Sequence, residues 1–155
     1  MNVPVIRKWV EALRSGLYKQ GTTVLKILPT GQRKLTRFCC LGVLCDLYEQ
    51  ETGNKLDWQS EHFCEKNWLG VCESSLGGVT TITLPDVVRN WAGLSNNDPY
   101  VYLTKTEKEI AGGSTETLAE LNDAGVKFKS IARAIEVTFL NEADSGMLSQ
   151  SQYDN

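Results

Sequence analysis

Val5, Trp9, Ala12 and Leu13 recur at helical spacing near the start of the chain, with Arg7, Lys8, Glu11 and Arg14 between them. The pattern predicts an amphipathic helix. Pro4 suits its first turn, where a missing amide hydrogen costs nothing, and Ser15-Gly16 ends or loosens it. Gly21 marks a second break. Thr23 to Leu28 reads as a short strand, Leu28-Pro29-Thr30-Gly31-Gln32 as a turn, and Lys34 to Phe38 as the returning strand. Leu35 and Phe38 fall on opposite faces of that strand, so burying both requires a bulge or a change of element.

From Cys39 to Glu51 the period becomes helical. Cys40, Val43, Leu44 and Leu47 cover one side, and Leu41, Cys45 and Tyr48 widen the apolar arc. An arc this wide predicts burial against more than one neighbour. Gly42 in mid-helix costs about 1 kcal/mol relative to alanine, which points to a close approach there. Thr52-Gly53-Asn54 ends the element. Residues 54–78 are less regular, with Trp58, Phe63 and Trp68 as large anchors and Leu76-Gly77-Gly78 as a turn. Val79 to Leu84 alternates as a strand. Pro85 opens a short helix through Trp91 that buries Leu84, Val87, Val88 and Trp91, with Gly93 as its cap. Asn96-Asn97-Asp98-Pro99 is a turn and Tyr100 to Thr104 a short, possible edge strand. Ser114 or Thr115 is expected to cap a helix holding Leu118 and Leu121. That helix closes at Asn122-Asp123-Ala124-Gly125. Phe128, Ile131, Ala132, Ile135 and Phe139 form the stripe of a last helix.

This order of elements predicts an α+β fold with a small antiparallel sheet packed with several helices. One globular domain spans residues 1–140, and residues 141–155 form a polar, flexible tail. The 155 residues suffice for one sizeable core, and 41% hydrophobic with 23% charged residues is ordinary for a globular protein. No stretch of eighteen apolar residues occurs, and the charges scattered through residues 1–17 do not suit a signal peptide. A cytoplasm is the expected compartment. Five cysteines fit it, being odd in number, with Cys39, Cys40 and Cys45 read as buried thiols.

Charge changes the picture more than composition does. Residues 1–38 carry eight Lys/Arg and one Glu, a formal +7; the remainder carries eight Lys/Arg and eighteen Asp/Glu, a formal −10. The basic stretch is Arg7, Lys8, Arg14, Lys19, Lys26, Arg33, Lys34 and Arg37. Arg33, Lys34 and Arg37 cluster beside a glycine turn, and Arg7 and Arg14 share a helix face at seven-residue spacing. Arg7, Arg14, Arg33, Lys34 and Arg37 are the candidate binding residues, for an acidic protein or a phosphate-bearing small molecule. The competing reading is a scattered solubilising surface, because sequence spacing fixes no three-dimensional convergence. Duplex nucleic acid is disfavoured, because the net charge is −3.

Candidate chemistry is sparse, and no motif names a reaction. Asp46 and Glu49 share a helix face, and Glu107 and Glu109 lie beside Lys105 and Lys108, a mixed-sign pattern usual for solvated surfaces. A cysteine–histidine nucleophile would need His62, the lone histidine, with Cys39, Cys40, Cys64 or another thiol. His62, Cys64 and Cys72 offer three zinc ligands, with a fourth from Cys39, Cys40 or Cys45, but no short CxxC pair supports the site. Gly77-Gly78 and Gly112-Gly113 lack phosphate-loop spacing. No catalytic residue, metal or cofactor is assigned.

Four fragments carry a resemblance. They are Trp9-x-x-Ala12-Leu13-Arg14-Ser15-Gly16-x-Tyr18-x-Gln20-Gly21, the run FCCLGVLCDLY at 38–48, Leu84-Pro85-x-x-Val88-x-x-Trp91-x-Gly93-Leu94, and LNDAGVKFKSIARAIE at 121–136. Together, over about residues 9–136, the chain resembles small proteins of unknown function from tailed bacteriophages and prophages. In that pattern a serine or threonine often stands where Lys127 does, so this chain lacks a hydroxyl cap. Asn122 and Asp123 are expected to serve backbone groups at a helix end, ligand binding being the lesser alternative. The resemblance implies a host cytoplasm. It also implies an accessory protein without enzymatic activity that binds a host factor, with inhibition of that factor as the expected effect. The alternatives are a protein binding a phosphorylated nucleotide or signal molecule, and an unrecognised hydrolase. Oligomeric state stays open.

Overall fold

Helix α2 (Cys40–Thr52) is the element on which the others pack. Cys40 through Cys45, Leu47 and Tyr48 are all buried, so the wide apolar arc is used in full. A Cβ at Gly42 would lie 1.8 Å from the carbonyl oxygen of Leu25, so main chain rests directly on this turn of the helix. Cys39 caps α2 with its own sulfur, which accepts from the Gly42 amide at 3.3 Å. The helix stops at Gly53, whose φ of 73° is left-handed.

The computed structural model describes residues 1–31, 34–60, 66–73, 78–112 and 116–141. It is a single-domain α+β fold. Helix α1 (Val3–Arg14) buries Val5, Ile6, Trp9, Val10 and Leu13 and packs on α2 and on α6 (Phe128–Ile135). The Trp9 indole donates to the Cys40 carbonyl at 2.9 Å, which pins α1 to the first turn of α2. Helix α6 runs on as a π-helical turn, Glu136–Leu140. No helix among the described residues is long and apolar enough to cross a membrane.

The sheet is built from short pieces: β1 (Lys19–Gln20), β2 (Lys26–Ile27), β3 (Arg37–Phe38), β4 (Trp58–Gln59), β5 (Trp68–Glu73) and β6 (Gly78–Thr80). Their order is β1-β3-β2-β5-β4, with β6 also pairing β5. Strands β2 and β3 pair antiparallel, with Lys26 opposite Phe38, as the expected hairpin requires. The strand covers only two residues, so Leu35 stays outside it and exposed while Phe38 is buried, and no bulge is needed. Strands β1 and β3 are parallel, a pairing the hydrophobic pattern did not suggest.

Other departures have local causes. Strands β4 and β5 arise in the stretch that reads as irregular, and of the strand expected over Val79–Leu84 only Val79 and Thr80 pair, in β6. In α3 (Asp86–Ala92) Val88 is buried and Trp91 half-buried, but Val87 faces outward. The expected strand Tyr100–Thr104 reduces to one bridge, between Tyr100 and Thr117. Helix α4 (Lys105–Ile110) follows, started by a reciprocal capping box between Thr104 and Glu107. Helix α5 (Leu118–Asp123) is capped by Thr117, whose hydroxyl accepts from the Glu120 amide. The expected caps Ser114 and Thr115 lie outside the described residues, as do Phe63, the Leu76-Gly77 part of a predicted turn, and the tail beyond Asn141.

Asn122 ties these parts together from a position with no solvent exposure. Its side-chain oxygen accepts from the Cys40 amide and from the Gln20 side chain, each at 3.1 Å, and its side-chain nitrogen donates to the Gly21 carbonyl at 2.8 Å. Gln20 completes the knot: its nitrogen also donates to Val126 O at 2.8 Å, and its oxygen accepts from the Phe128 amide at 3.1 Å. The missing hydroxyl cap at Lys127 is thus replaced by a side chain from β1. Asp123 accepts from the Thr23 amide at 2.7 Å and holds that residue at a positive φ of 78°. Both residues serve backbone groups, as their place at a helix end suggests.

Two substitutions test this frame. Gly42→Ala should lower the unfolding free energy by about 3 kcal/mol, the upper range for overpacking, because the added methyl meets backbone. Asn122→Leu should cost about as much, since it strands a buried amide and a buried carbonyl at roughly 1–3 kcal/mol each. Urea unfolding reads both, and an unshifted midpoint for either removes the role assigned to that residue.

Candidate functional site

The segment between α1 and β1 shapes a surface concavity. Ser15 donates its hydroxyl to Ala12 O at 2.6 Å and accepts from the Leu17 amide at 3.1 Å, which turns the chain out of the helix. Alternation then sets the next three side chains. Leu17 is 88% exposed, Tyr18 turns inward, and Lys19 faces out again. The Tyr18 hydroxyl donates to Asp46 on α2, and the Gln50 side-chain nitrogen donates to the same carboxylate at 2.6 Å and to the Tyr18 oxygen at 3.2 Å. The Tyr18 ring meets Phe38 edge-on, with centroids 5.4 Å apart. Burial first, then the bond to Asp46, pushes the phenol well above its ordinary range, so it remains a donor at neutral pH.

Two cavities adjoin across Leu17 and Tyr18, which line both. One, of about 490 Å³, lies between α1 and α2 and includes Glu11, Asp46 and Glu51 with a single lysine, Lys8. The other, of about 380 Å³, is lined by Lys19, Lys34, Leu35, Thr36 and Phe38 besides the shared pair, with no carboxylate among the described residues that line it. The two adjoin at Leu17 and Tyr18 and differ in charge, and together they are called the groove. Leu35, 63% exposed, stands with Leu17 as uncovered apolar surface at the cationic end.

The five sequence-predicted binding residues are distributed unevenly about this groove. Lys34 lines the cationic cavity. Arg37 sits on β3 opposite Lys19 but is half-buried and donates to the Gln20 carbonyl at 3.3 Å. Arg14 forks onto Glu136, at 2.9 and 3.3 Å, and that hydrogen-bonded pairing holds the Glu136 carboxyl below its usual range. Arg7 is exposed on α1 and lines neither cavity. Arg33 lies outside the described residues. Among the other basic residues, Lys8 pairs with Glu51, and Lys26 lies 4.8 Å from the Trp58 ring centroid. Lys19, with Leu17, Tyr18 and Leu35 beside it, completes the cationic end. The sequence signal for it was the Gly16 turn, which frees residues 17–19 from the helical register.

The candidate catalytic groups have structural employment. Glu49 accepts from the Leu56 amide at 2.9 Å and the Trp58 indole at 3.0 Å. Glu107 is buried on its capping box and against Arg133. The Cys39, Cys40 and Cys45 thiols are fully buried, and desolvation raises all three, Cys39 to about 12. They are thiols, not thiolates, at neutral pH. His62 and Cys64 lie outside the described residues, and among those described no three His, Cys, Asp or Glu side chains are placed to share a metal ion.

These features define a single-domain α+β protein whose surface carries a charge-divided groove between α1, α2 and β3. Residues 1–139 match the family described as Domain of unknown function (DUF8296), and the chain belongs to it. No curated protein and no solved structure matches the chain.

Thiol burial has a direct readout. Ellman's reagent at pH 8 should leave Cys39, Cys40 and Cys45 unlabelled in the native protein and label all five cysteines after unfolding. Rapid native labelling of Cys39, Cys40 or Cys45, located by peptide mapping, contradicts the raised thiol pKa values.

Proposed function

We propose that this is a binding protein without enzymatic activity that takes an acidic segment of another protein at the Lys19–Lys34 end of the groove. The observation that carries the reading is the lining of that cavity: two lysines, no carboxylate among the described residues, and two exposed leucines at its side. Lysines attract carboxylates and raise association rates. Exposed leucines beside them favour a partner that also brings apolar side chains. A small phosphorylated ligand has less support, because Arg14 and Arg37, whose planar forks suit phosphate best, are engaged with Glu136 and with the Gln20 carbonyl. A bacteriophage or prophage setting, in which the partner is a host factor that is bound and inhibited, rests on the resemblance of the four sequence fragments alone.

An acetylated Glu-Glu-Leu-Leu peptide amide, titrated into ¹⁵N-labelled protein at low salt, should shift the amides of residues 17–19 and 34–36. Reversing both lysines (Lys19→Glu with Lys34→Glu) should weaken that binding at least tenfold with the remaining spectrum unchanged, and added salt should weaken it too. Equal affinity of the doubly reversed protein defeats the proposal. Tighter saturation of the same lysines by inorganic phosphate or a nucleotide transfers the site to a small anion.

A further inference from the structure

The acidic half of the groove extends the recognition beyond the lysines. Lys8 is paired with Glu51, so one of the three carboxylates there is compensated. Glu11 has no cationic partner among the described residues, and it is exposed. Asp46 accepts from both Tyr18 and Gln50 through a single oxygen, Oδ2, and neither bond brings it a positive charge. Two uncompensated carboxylates therefore border a cavity whose other walls include Ala12, Leu47 and Leu17. A carboxylate pair over an apolar floor fits an arginine or lysine, whose alkyl stem covers the floor while its head meets the acids.

The two ends are not independent sites, because Leu17 and Tyr18 belong to both. Tyr18 is fixed between them by its hydroxyl bond to Asp46 and its edge contact with Phe38. Resting on the reading of the cationic end given above, we infer that the occupant is one bipolar segment of the partner protein. Its acidic residues lie at Lys19 and Lys34, an apolar residue covers Leu17 and Leu35, and a basic residue lies at Glu11 and Asp46. Opposite charge at the two ends selects against a uniformly acidic chain, which the lysine end alone would accept. It also fixes the direction in which the segment lies, since a reversed segment puts like charges together.

The probes are two acetylated peptide amides, Glu-Glu-Leu-Leu-Arg-Arg and its reverse, compared with Glu-Glu-Leu-Leu-Gln-Gln by the same amide-shift titration. One of the two bipolar peptides should bind at least fivefold more tightly than the glutamine version and should also shift the amides of Lys8, Glu11 and Gln50. Glu11→Lys, an exposed change that leaves the Tyr18–Asp46 contact intact, should abolish that advantage and leave the glutamine peptide's affinity within twofold. If neither bipolar peptide exceeds the glutamine version, while that version still depends on Lys19 and Lys34, the bipolar inference fails and the acidic-partner proposal stands. If no peptide shifts residues 17–19 or 34–36, both fail together.

Discussion

The carboxamide of Asn122 is the constraint on which the rest of the arrangement hangs. It is buried without access to water, yet it meets the first amide of α2, the carbonyl of Gly21 and the side chain of Gln20. A buried amide group left unpaired is costly, so its three bonds must form together. Forming them fixes where the chain after α1 meets the start of α2 and the end of α5. Gln20 then carries the constraint to the α5–α6 turn and supplies the cap that Lys127 cannot. Aspartate at 122 would lack the donor for Gly21, and an apolar residue would lack everything, so side-chain chemistry and not size alone selects asparagine there.

The groove inherits its shape from this knot. Residues 17–19 lie between the end of α1 and the anchored Gln20–Gly21, and Tyr18 is bound to α2 through Asp46. With both ends and the middle of the segment held, Leu17 and Lys19 have little freedom to withdraw inward. A surface whose side chains are held before a partner arrives loses less conformational entropy on binding than one that must order them. The same geometry explains why the heavy positive charge of residues 1–38 does not make one basic face. Arg14 and Lys8 are neutralised by Glu136 and Glu51, whereas Lys19, Lys26, Lys34 and Arg37, near the sheet, have no carboxylate partner among the described residues.

Much of the helical framework was legible in the amino-acid order. The apolar arc of α2 was visible because eight buried positions in one helix leave few polar ones, and Gly42 announced the approach that Leu25 makes. Gly53 and Gly93 end their helices as their positions suggested. The sheet was harder to see, because strands of two residues contain no alternation to detect; Lys19–Gln20 and Trp58–Gln59 are defined by their partners, not by their own pattern. Helix α4 was hidden for another reason. Its Glu107 reads as a surface carboxylate, but a capping box and Arg133 allow it to be 5% exposed.

The candidate site shows the same limit more sharply. A count of basic residues could not tell an arginine that grips a glutamate from a lysine that faces a cavity. That difference depends on Glu136, more than a hundred residues away from Arg14, and on the parallel pairing that sets Lys19 beside Arg37. Sequence separation carries no signal for either. The acidic end was missed for the converse reason: Glu11, Asp46 and Glu51 look like ordinary wet positions on two amphipathic helices. They come together only in the fold, where they line a cavity between α1 and α2 that Tyr18 borders. Tyr18 is the residue at which the two cavities meet, bound to Asp46 on one side and set edge-on to Phe38 on the other.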